Sequence, residues 1–157
     1  MKEINDGRGS LLVIENFNNN YNYQNKNFIL KIDSSKNIEL YKKSKLVKRF
    51  LSKDLPFNSK RLFFLFDIPI NKSRGCHAHK YCSQFLVCLS GNILFKYNDG
   101  LKWKEISLNK GNTFLFKPKL WIDHIFFSKE AILGVHCSHE YIENEYVRDF
   151  NDFKKLK

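Results

Sequence analysis

The sequence predicts an all-β domain, a sandwich or a barrel, and three observations lead to that prediction. From Arg61 onward the chain is a succession of short apolar segments, typical of strands. Turn signals separate these segments at close intervals, and Asn98-Asp99-Gly100 is the strongest because Asp-Gly tolerates positive φ. Apolar residues rarely recur at the spacing of a helix. The 157 residues allow one domain with a buried core and are too few for two, so residues 1–157 are expected to form a single domain.

The strands of the second part of the chain follow from this pattern in order. Arg61–Ile68 is a continuous apolar run rich in aromatic residues, which indicates a strand buried on both faces. Lys102–Leu108 alternates polar and apolar residues, and we expect Trp103, Ile106 and Leu108 to face inward. The remaining strands are predicted at Gln84–Leu89, Asn92–Tyr97, Thr113–Phe116, Ile125–Phe127 and Ala131–Cys137.

The two ends of the chain are less regular. Residues 1–55 are assigned to N-terminal strands and residues 56–157 to the barrel itself. Only Glu143–Leu156 has helical spacing, which predicts a short C-terminal helix. The N-terminal strands are predicted at Asp6–Glu15, at Phe28–Asp33 and, from a weaker pattern, within Tyr41–Phe57.

The formal net charge of +11 is spread along the chain, with a concentration between Lys42 and Lys60. Basic chains bind polyanions such as nucleic acid, anionic membranes or phosphorylated small molecules. No zinc finger, RNP1-like string or basic helix occurs, so we expect no nucleic-acid partner. A ligand that carries a diphosphate would account for part of the charge.

The sequence also bears on the compartment. No run of about 18 apolar residues occurs, so no membrane partner is expected. The N-terminal MKEINDGRGS lacks the apolar region of a secretory signal, which predicts a cytoplasmic protein. Cys76, Cys82, Cys88 and Cys137 form neither a CxxC pair nor a compact zinc set, and we expect reduced thiols.

The most informative segment is Arg74-Gly75-Cys76-His77-Ala78-His79-Lys80, followed by Gln84 and Gly91. On a strand, His77 and His79 point to the same face, so two imidazoles form one site on the inner face of a barrel. This spacing resembles the first motif of the cupins, with Gln84 where metal-binding members have Glu. The predicted fold is therefore a cupin-type, right-handed β-barrel with jelly-roll-like topology and a short C-terminal helix.

The second cupin motif is degenerate. Gly111 and Pro118 are present, but Leu120 replaces the second Gly and Asp123 occupies the place of the ligand His. His124 follows one residue later, on the other face of a strand. Divalent metals prefer anionic or imidazole ligands with supporting partners, so we expect no metal and no cofactor. Weak binding of iron or nickel is the alternative.

Two unligated histidines suit proton transfer, because imidazole titrates near neutral pH. The alternative is that one histidine packs in the core and donates to a backbone carbonyl. Arg74 and Lys80 beside the pair favour a functional site.

Beyond RGxHAHK, the chain carries Pro56-Phe57, Lys60-Arg61, Asp67, Gln84, Asp99-Gly100, Pro118, Trp121, Phe127-Ser128, Glu140-Tyr141 and Tyr146-Val147-Arg148. With these residues it resembles the dTDP-sugar 3,4-ketoisomerases of the cupin superfamily, enzymes of bacterial surface-glycan pathways. The resemblance runs from about Pro56 to Lys154.

The resemblance implies conversion of dTDP-4-keto-6-deoxyglucose into a 3-keto-6-deoxyhexose through an enediolate, by a homodimer that exchanges an N-terminal strand. His77 and His79 correspond to the catalytic pair, and which one is the carbon base stays open. Arg61 and Arg74 would hold the diphosphate or the developing oxyanion. The other expected substrate contacts are Arg8, Lys80, Gln84, Trp121 and Asp123. A core position for Trp121 is the alternative.

Two departures from the family pattern matter. Phe63 and Phe64 stand where relatives carry tyrosines, so a catalytic hydroxyl is lost or comes from elsewhere. The family string Asp-x-Arg-Gly-Ser-Leu also lies too early, at Asp6–Leu11. Either an insertion follows Glu15, which we favour, or Lys43 has replaced Arg8.

Two other functions stay open on the sequence, a related cupin epimerase or dehydratase and a non-catalytic nucleotide-sugar-binding cupin. For an isomerase, a galacto or gluco product depends on which face of C4 is reprotonated.

Overall fold

The computed structural model describes residues 1–157 and contains fifteen strands, one α-helix and two short 3-10 segments, Ser52–Asp54 and Glu143–Glu145. The strands are β1 (Lys2–Asn5), β2 (Ser10–Ile14), β3 (Tyr21–Gln24), β4 (Ile29–Ile32), β5 (Ile38–Lys42), β6 (Lys45–Phe50), β7 (Arg61–Phe66), β8 (Ser73–His79), β9 (Gln84–Ser90), β10 (Asn92–Asn98), β11 (Trp103–Asn109), β12 (Thr113–Phe116), β13 (Trp121–Phe127), β14 (Ile132–Cys137) and β15 (Tyr146–Val147). The helix is α1 (Phe150–Lys154). No helix is long and apolar enough to cross a membrane.

Two large antiparallel sheets enclose the main core. The six-stranded sheet has the order β1-β2-β7-β14-β9-β12, and the five-stranded sheet has the order β11-β10-β13-β8-β15. Leu86 and Val135 of the first sheet pack with Phe95, Ile122 and Ile125 of the second. Alternate residues along these strands therefore point into one shared interior.

A third sheet, β3-β4-β5-β6, packs on the opposite side of the six-stranded sheet and builds a second core. Leu30 and Leu40 of this sheet pack with Leu62, Phe64 and Phe66 of β7. The intervening Leu65 points into the main core instead. The prediction that this strand is buried on both faces is confirmed, because each face of β7 meets a different core.

The four strands of the third sheet lie between β2 and β7 in the chain, yet β2 and β7 are hydrogen-bonded neighbours. An insertion after Glu15 would produce this arrangement, and we keep that interpretation. Lys43 lies at a positive φ of 47° just after β5, in the connection to β6.

The predicted all-β character with a short helix is confirmed, but the closed barrel is not. The strands form three separate sheets, and no strand belongs to two of them. Trp103 was expected to face inward and is instead 54% exposed, stacked on Phe150. It is an odd number of residues from Ile106, so strand alternation places it on the other face.

The C-terminal segment is helical over fewer residues than predicted. Tyr146 and Val147 form a short strand beside β8, and only Phe150–Lys154 is α-helical. Asp149 caps this helix by accepting hydrogen bonds from the amides of Asn151 and Asp152.

Candidate active site

The backbone of β8 departs from regular strand geometry next to the histidines. Gly75 and Cys76 have φ values of 125° and 60°. A Cβ at Gly75 would lie 2.5 Å from the carbonyl oxygen of Asp123, so only glycine fits there. These two residues interrupt the strand alternation, and Arg74 and His77 consequently line the same cavity.

The cavity lies between the two large sheets and has a volume of about 230 Å³. Its apolar wall is formed by Leu11, Phe63, Leu65, Leu86, Phe95, Ile122, Ile125, Leu133 and Val135. Its polar residues are Arg8, Arg61, Arg74, His77, Gln84, Tyr141, Tyr146 and Arg148. A larger groove of about 790 Å³ lies beside Lys42 and Pro69, but no histidine, arginine or cysteine lines it. The titratable side chains of this groove are two lysines, Asp67 and Glu130, whereas Arg74 and His77 line the smaller cavity.

His79 is buried behind His77 and is bound to a carboxylate. Its Nδ1 lies 2.6 Å from Oε2 of Glu145, while the amides of Tyr81 and Cys82 donate to Oε1 at 3.1 and 2.7 Å. Burial raises the pKa of Glu145, but the hydrogen bonds from His79 and these amides outweigh it, so the pKa lies below its ordinary value. The ionised carboxylate needs a donor, so Nδ1 of His79 carries a proton. Its Nε2 is buried and has no hydrogen-bond partner.

His77 has a different environment. Its Nδ1 lies 3.1 Å from the carbonyl oxygen of Gly75, to which it donates. The rings of His77 and His79 are 5.1 Å apart and nearly perpendicular. Burial, followed by repulsion from His79, lowers the pKa of His77 to about 4. His77 is therefore neutral at pH 7, with its Nε2 free to accept a proton.

Tyr146 adds a hydroxyl beside the histidine pair. Its ring lies 4.4 Å from that of His79 and 5.4 Å from that of His77. Its hydroxyl accepts a hydrogen bond from Nη1 of Arg61. Burial raises the pKa of Tyr146, so the hydroxyl keeps its proton at neutral pH and can donate it to an oxygen in the cavity.

Four arginines line the cavity. Arg61 is buried under the ring of Phe63. Arg74 donates to both carboxylate oxygens of Asp6 at 3.0 Å, and Arg8 binds the same carboxylate at 2.6 Å. Arg148 lies over the ring of Tyr146 and pairs with Glu143. Guanidinium groups of this kind suit a diphosphate.

Six residues that the sequence suggested are gathered here, and three are elsewhere. His77, Arg8, Arg61, Arg74 and Gln84 line the cavity, and His79 lies behind His77. Of Arg8 and Lys43, only Arg8 reaches this cavity.

The predictions for Trp121, Asp123 and Lys80 as cavity residues are not supported by their positions. Trp121 packs against Ala78, Val147 and Phe153 on the outer side of the five-stranded sheet. Asp123 lies at a bulge between β10 and β13, and its carboxylate binds Nδ1 of its neighbour His124 at 2.6 Å. Nζ of Lys80 donates to the carbonyl oxygen of Asn144.

Glu145, Tyr146, Tyr141 and Arg148 were not selected as site residues from the sequence. Glu145, Tyr146 and Arg148 belong to Glu143–Leu156, the segment predicted to be helical, and Tyr141 precedes it. Tyr141 and Tyr146-Val147-Arg148 contributed only to the family resemblance. The two phenylalanines at the family's tyrosine positions separate here: Phe63 lines the cavity, and Phe64 is buried against the third sheet. Tyr146 brings a hydroxyl to the site from another strand.

The chain is similar to one family of known proteins. Residues 31–157 match the family model described as FdtA: WxcM-like, C-terminal. The TDP-4-oxo-6-deoxy-alpha-D-glucose-3,4-oxoisomerase of Aneurinibacillus thermoaerophilus is 36% identical over 105 residues, 66% of this chain and 76% of that protein. Two Campylobacter jejuni structures are also similar. The WlaRB TDP-quinovose 3,4-ketoisomerase has 33% identity and a TM-score of 0.63, covering 69% of this chain and 85% of its own. The WlaRA TDP-fucose-3,4-ketoisomerase has 26% identity and a TM-score of 0.63, covering 94% of this chain and 95% of its own.

Proposed function

The chain belongs to the FdtA, WxcM-like C-terminal family and is an isomerase, and on that premise we propose that it acts on dTDP-4-keto-6-deoxy-D-glucose and forms a dTDP-3-keto-6-deoxyhexose. The names of the similar enzymes support a TDP-linked sugar as substrate. The observation that carries the proposal is the pair of imidazoles, 5.1 Å apart, each with a free Nε2, beside a cavity lined by arginines.

The reaction needs a base next to a carbonyl. Removal of the proton on C3 produces an enediolate, and delivery of a proton to C4 together with transfer of a proton from O3 to O4 completes the isomerisation. His77 and His79 would divide these proton transfers, because the Nδ1 of each ring is hydrogen-bonded to an acceptor and the Nε2 of each ring makes no hydrogen bond.

The enediolate oxygens need donors that are already in position. Arg61 and the Tyr146 hydroxyl face the cavity together and would stabilise this negative charge. Arg8, Arg74 and Arg148 would bind the diphosphate, and Gln84 would contact the sugar through its amide.

The product's 3-keto group is the group that a pyridoxal-phosphate-dependent 3-aminotransferase aminates, and we place the reaction before such a step in surface-glycan synthesis, as for lipopolysaccharide. The proposal covers either configuration at C4. We also propose that the protein is a homodimer, which light scattering at micromolar protein concentration would test.

The test is direct. The purified protein is incubated with dTDP-4-keto-6-deoxyglucose, and the sugar is followed by NMR, with the product trapped by a 3-aminotransferase. A 3-amino sugar formed only when both enzymes are present supports the proposal. Tight binding of the substrate without conversion would identify a non-catalytic binding protein instead.

A further inference from the structure

Glu145 is the acidic side chain that contacts the histidine pair. No aspartate or glutamate lines the cavity itself. The residue is buried, with 5% of its surface exposed, and three hydrogen bonds hold its carboxylate. Two of them come from the backbone that follows β8, at Tyr81 and Cys82. The carboxylate is thus fixed to the same segment that carries the histidines, and it cannot turn away from His79.

The two imidazoles differ in what their Nδ1 atoms contact. Nδ1 of His79 meets a carboxylate at 2.6 Å, whereas Nδ1 of His77 meets a neutral carbonyl at 3.1 Å. A hydrogen bond to a charged group is roughly twice as strong as one between neutral groups. Two adjacent buried rings cannot both be charged without strong repulsion. A positive charge on the pair is therefore stabilised at His79.

No other acidic group makes a hydrogen bond to His79. From β8 it faces His77, and from β15 it faces Tyr146. Cys82, whose thiol pKa is lowered to about 6 chiefly by a hydrogen bond with Cys137, lies in the following loop. Arg61 and Arg148 approach Tyr146 and add positive charge nearby. Glu145 alone supplies negative charge at hydrogen-bond distance.

We propose that Glu145 is a positioning residue that fixes His79 as its Nδ1–H tautomer and makes His79, and not His77, the imidazole that becomes protonated during turnover. The part of this statement that concerns turnover rests on the proposed isomerase activity. The part that concerns the tautomer and the order of protonation does not. Glu145 thus acts on the reaction through His79.

The first experiment measures protonation without substrate. The histidine side chains are labelled with nitrogen-15 and their proton–nitrogen correlations are recorded from pH 4 to pH 8. We expect the Nδ1–H tautomer for His79 and a titration midpoint above that of His77. In Glu145→Gln the His79 midpoint should fall by about 1 to 2 pH units, because a hydrogen bond to a charged group contributes about 1.5–3 kcal/mol.

The controls separate charge from fold. Glu140→Gln removes the same charge from an exposed position in the same segment and should leave both midpoints unchanged. If Glu145→Gln does not fold, Glu145→Asp keeps the charge one methylene further back, and His79 should still titrate above His77. A His79 midpoint at or below that of His77 in the wild type overturns the proposal. An unchanged His79 midpoint in folded Glu145→Gln does the same.

The activity arm tests the positioning role. Glu145→Gln should lower kcat about 10- to 100-fold with KM changed less than about twofold, and on a His79→Asn background it should have no further effect. A full additional loss on that background would mean that Glu145 does not act through His79. Absence of isomerase activity in the wild type would reject the proposed function and leave the titration result standing.

Discussion

The hydroxyl of Tyr146 accepts a hydrogen bond from Nη1 of Arg61 at 3.3 Å, while the ring of the same tyrosine lies 4.4 Å from the ring of His79. One side chain thus joins the basic wall of the cavity to the histidine pair. Tyr146 comes from β15, a two-residue strand that pairs with the end of β8. The hydroxyl that Phe63 cannot provide is present in the site by this route.

Tyr146→Phe should lower kcat by roughly 10²-fold, the usual effect of removing one donor to a developing oxyanion. KM should change little, because the diphosphate contacts are elsewhere. Steady-state kinetics with the nucleotide sugar measures both parameters. Tyr81→Phe is the matched control, since Tyr81 is 66% exposed and its hydroxyl makes no hydrogen bond. Equal kcat values for Tyr146→Phe and the wild type would remove the hydroxyl from the mechanism.

His77→Asn and His79→Asn should each cut turnover by roughly 10² to 10⁴, the contribution of one general acid–base group. Affinity for the nucleotide sugar should be preserved. Exchange of solvent deuterium into C3 of the substrate, followed by NMR, then distinguishes the roles, because only the variant that keeps the carbon base retains this exchange. Isomerisation at the wild-type rate by both variants would make the histidines structural.

Arg74→Ala should raise KM about 10- to 100-fold and affect kcat less, because a charge-assisted hydrogen bond contributes about 1.5–3 kcal/mol. Calorimetric binding of dTDP at two salt concentrations gives an independent measurement. Arg49→Ala is the control, since Arg49 lies on the third sheet and pairs with Glu39. An unchanged KM and dTDP affinity in Arg74→Ala would contradict the assignment of Arg74 to the diphosphate.

Acid should destabilise the fold in the range where buried histidines take up protons. Burial, reinforced by Lys36, lowers the pKa of His136 to about 3. The unfolded chain binds this proton below about pH 6.5. The contribution of neutral His136 to the free energy of unfolding is therefore fully present above about pH 6.5. It falls as the pH drops, and at pH 5 the loss is about 2 kcal/mol. His77 contributes in the same direction, because its pKa is about 4.

Urea unfolding at pH 7, 6 and 5 measures this effect. His136→Asn should be less stable than the wild type at pH 7 because a buried contact is lost, but its stability should decline less steeply with acid. His139→Asn changes an exposed histidine and should leave the slope unaltered. A steeper decline in His136→Asn than in the wild type would show that protonation of His136 is not the cause.

Activity should persist after prolonged treatment with EDTA, and the purified protein should contain well under one equivalent of iron, nickel or zinc. The physical reason is the donor set. The cavity offers His77 and the neutral amide of Gln84, while Asp123 and His124 bind each other elsewhere on β13. A stoichiometric metal by elemental analysis, together with activity lost on chelation and restored by that metal, would reverse this prediction.

Many strands of the fold could be predicted from the local pattern of apolar and polar residues in the sequence. Thr113–Phe116 was predicted with its observed bounds, and Gln84–Leu89 and Asn92–Tyr97 are each one residue short of β9 and β10. Strands whose alternate residues meet a core carry their period in the sequence. The third sheet was only partly predicted, because nearly all residues of its edge strands β3 and β6 are exposed or half-buried and β6 carries two lysines and an arginine.

The candidate site was predicted best where its residues are close in sequence. His77 and His79 share one strand, so their proximity follows from alternation. Asp123 was misplaced because a bulge on β13 shifts the register there, and a bulge of this kind leaves no mark in a spacing argument. Glu145 was missed because its contact with His79 joins residues 66 positions apart in the chain.

The third sheet has a consequence for any attempt to shorten this protein. Leu12, Ile14, Leu62, Phe64 and Phe66 lie beneath it on the back of the six-stranded sheet, all almost completely buried. A chain without the third sheet would expose these side chains as one continuous apolar patch, and such patches promote aggregation. Deletion of β3–β6 would therefore require polar replacements on one face of β2 and β7. The opposite face of the same two strands forms part of the cavity wall.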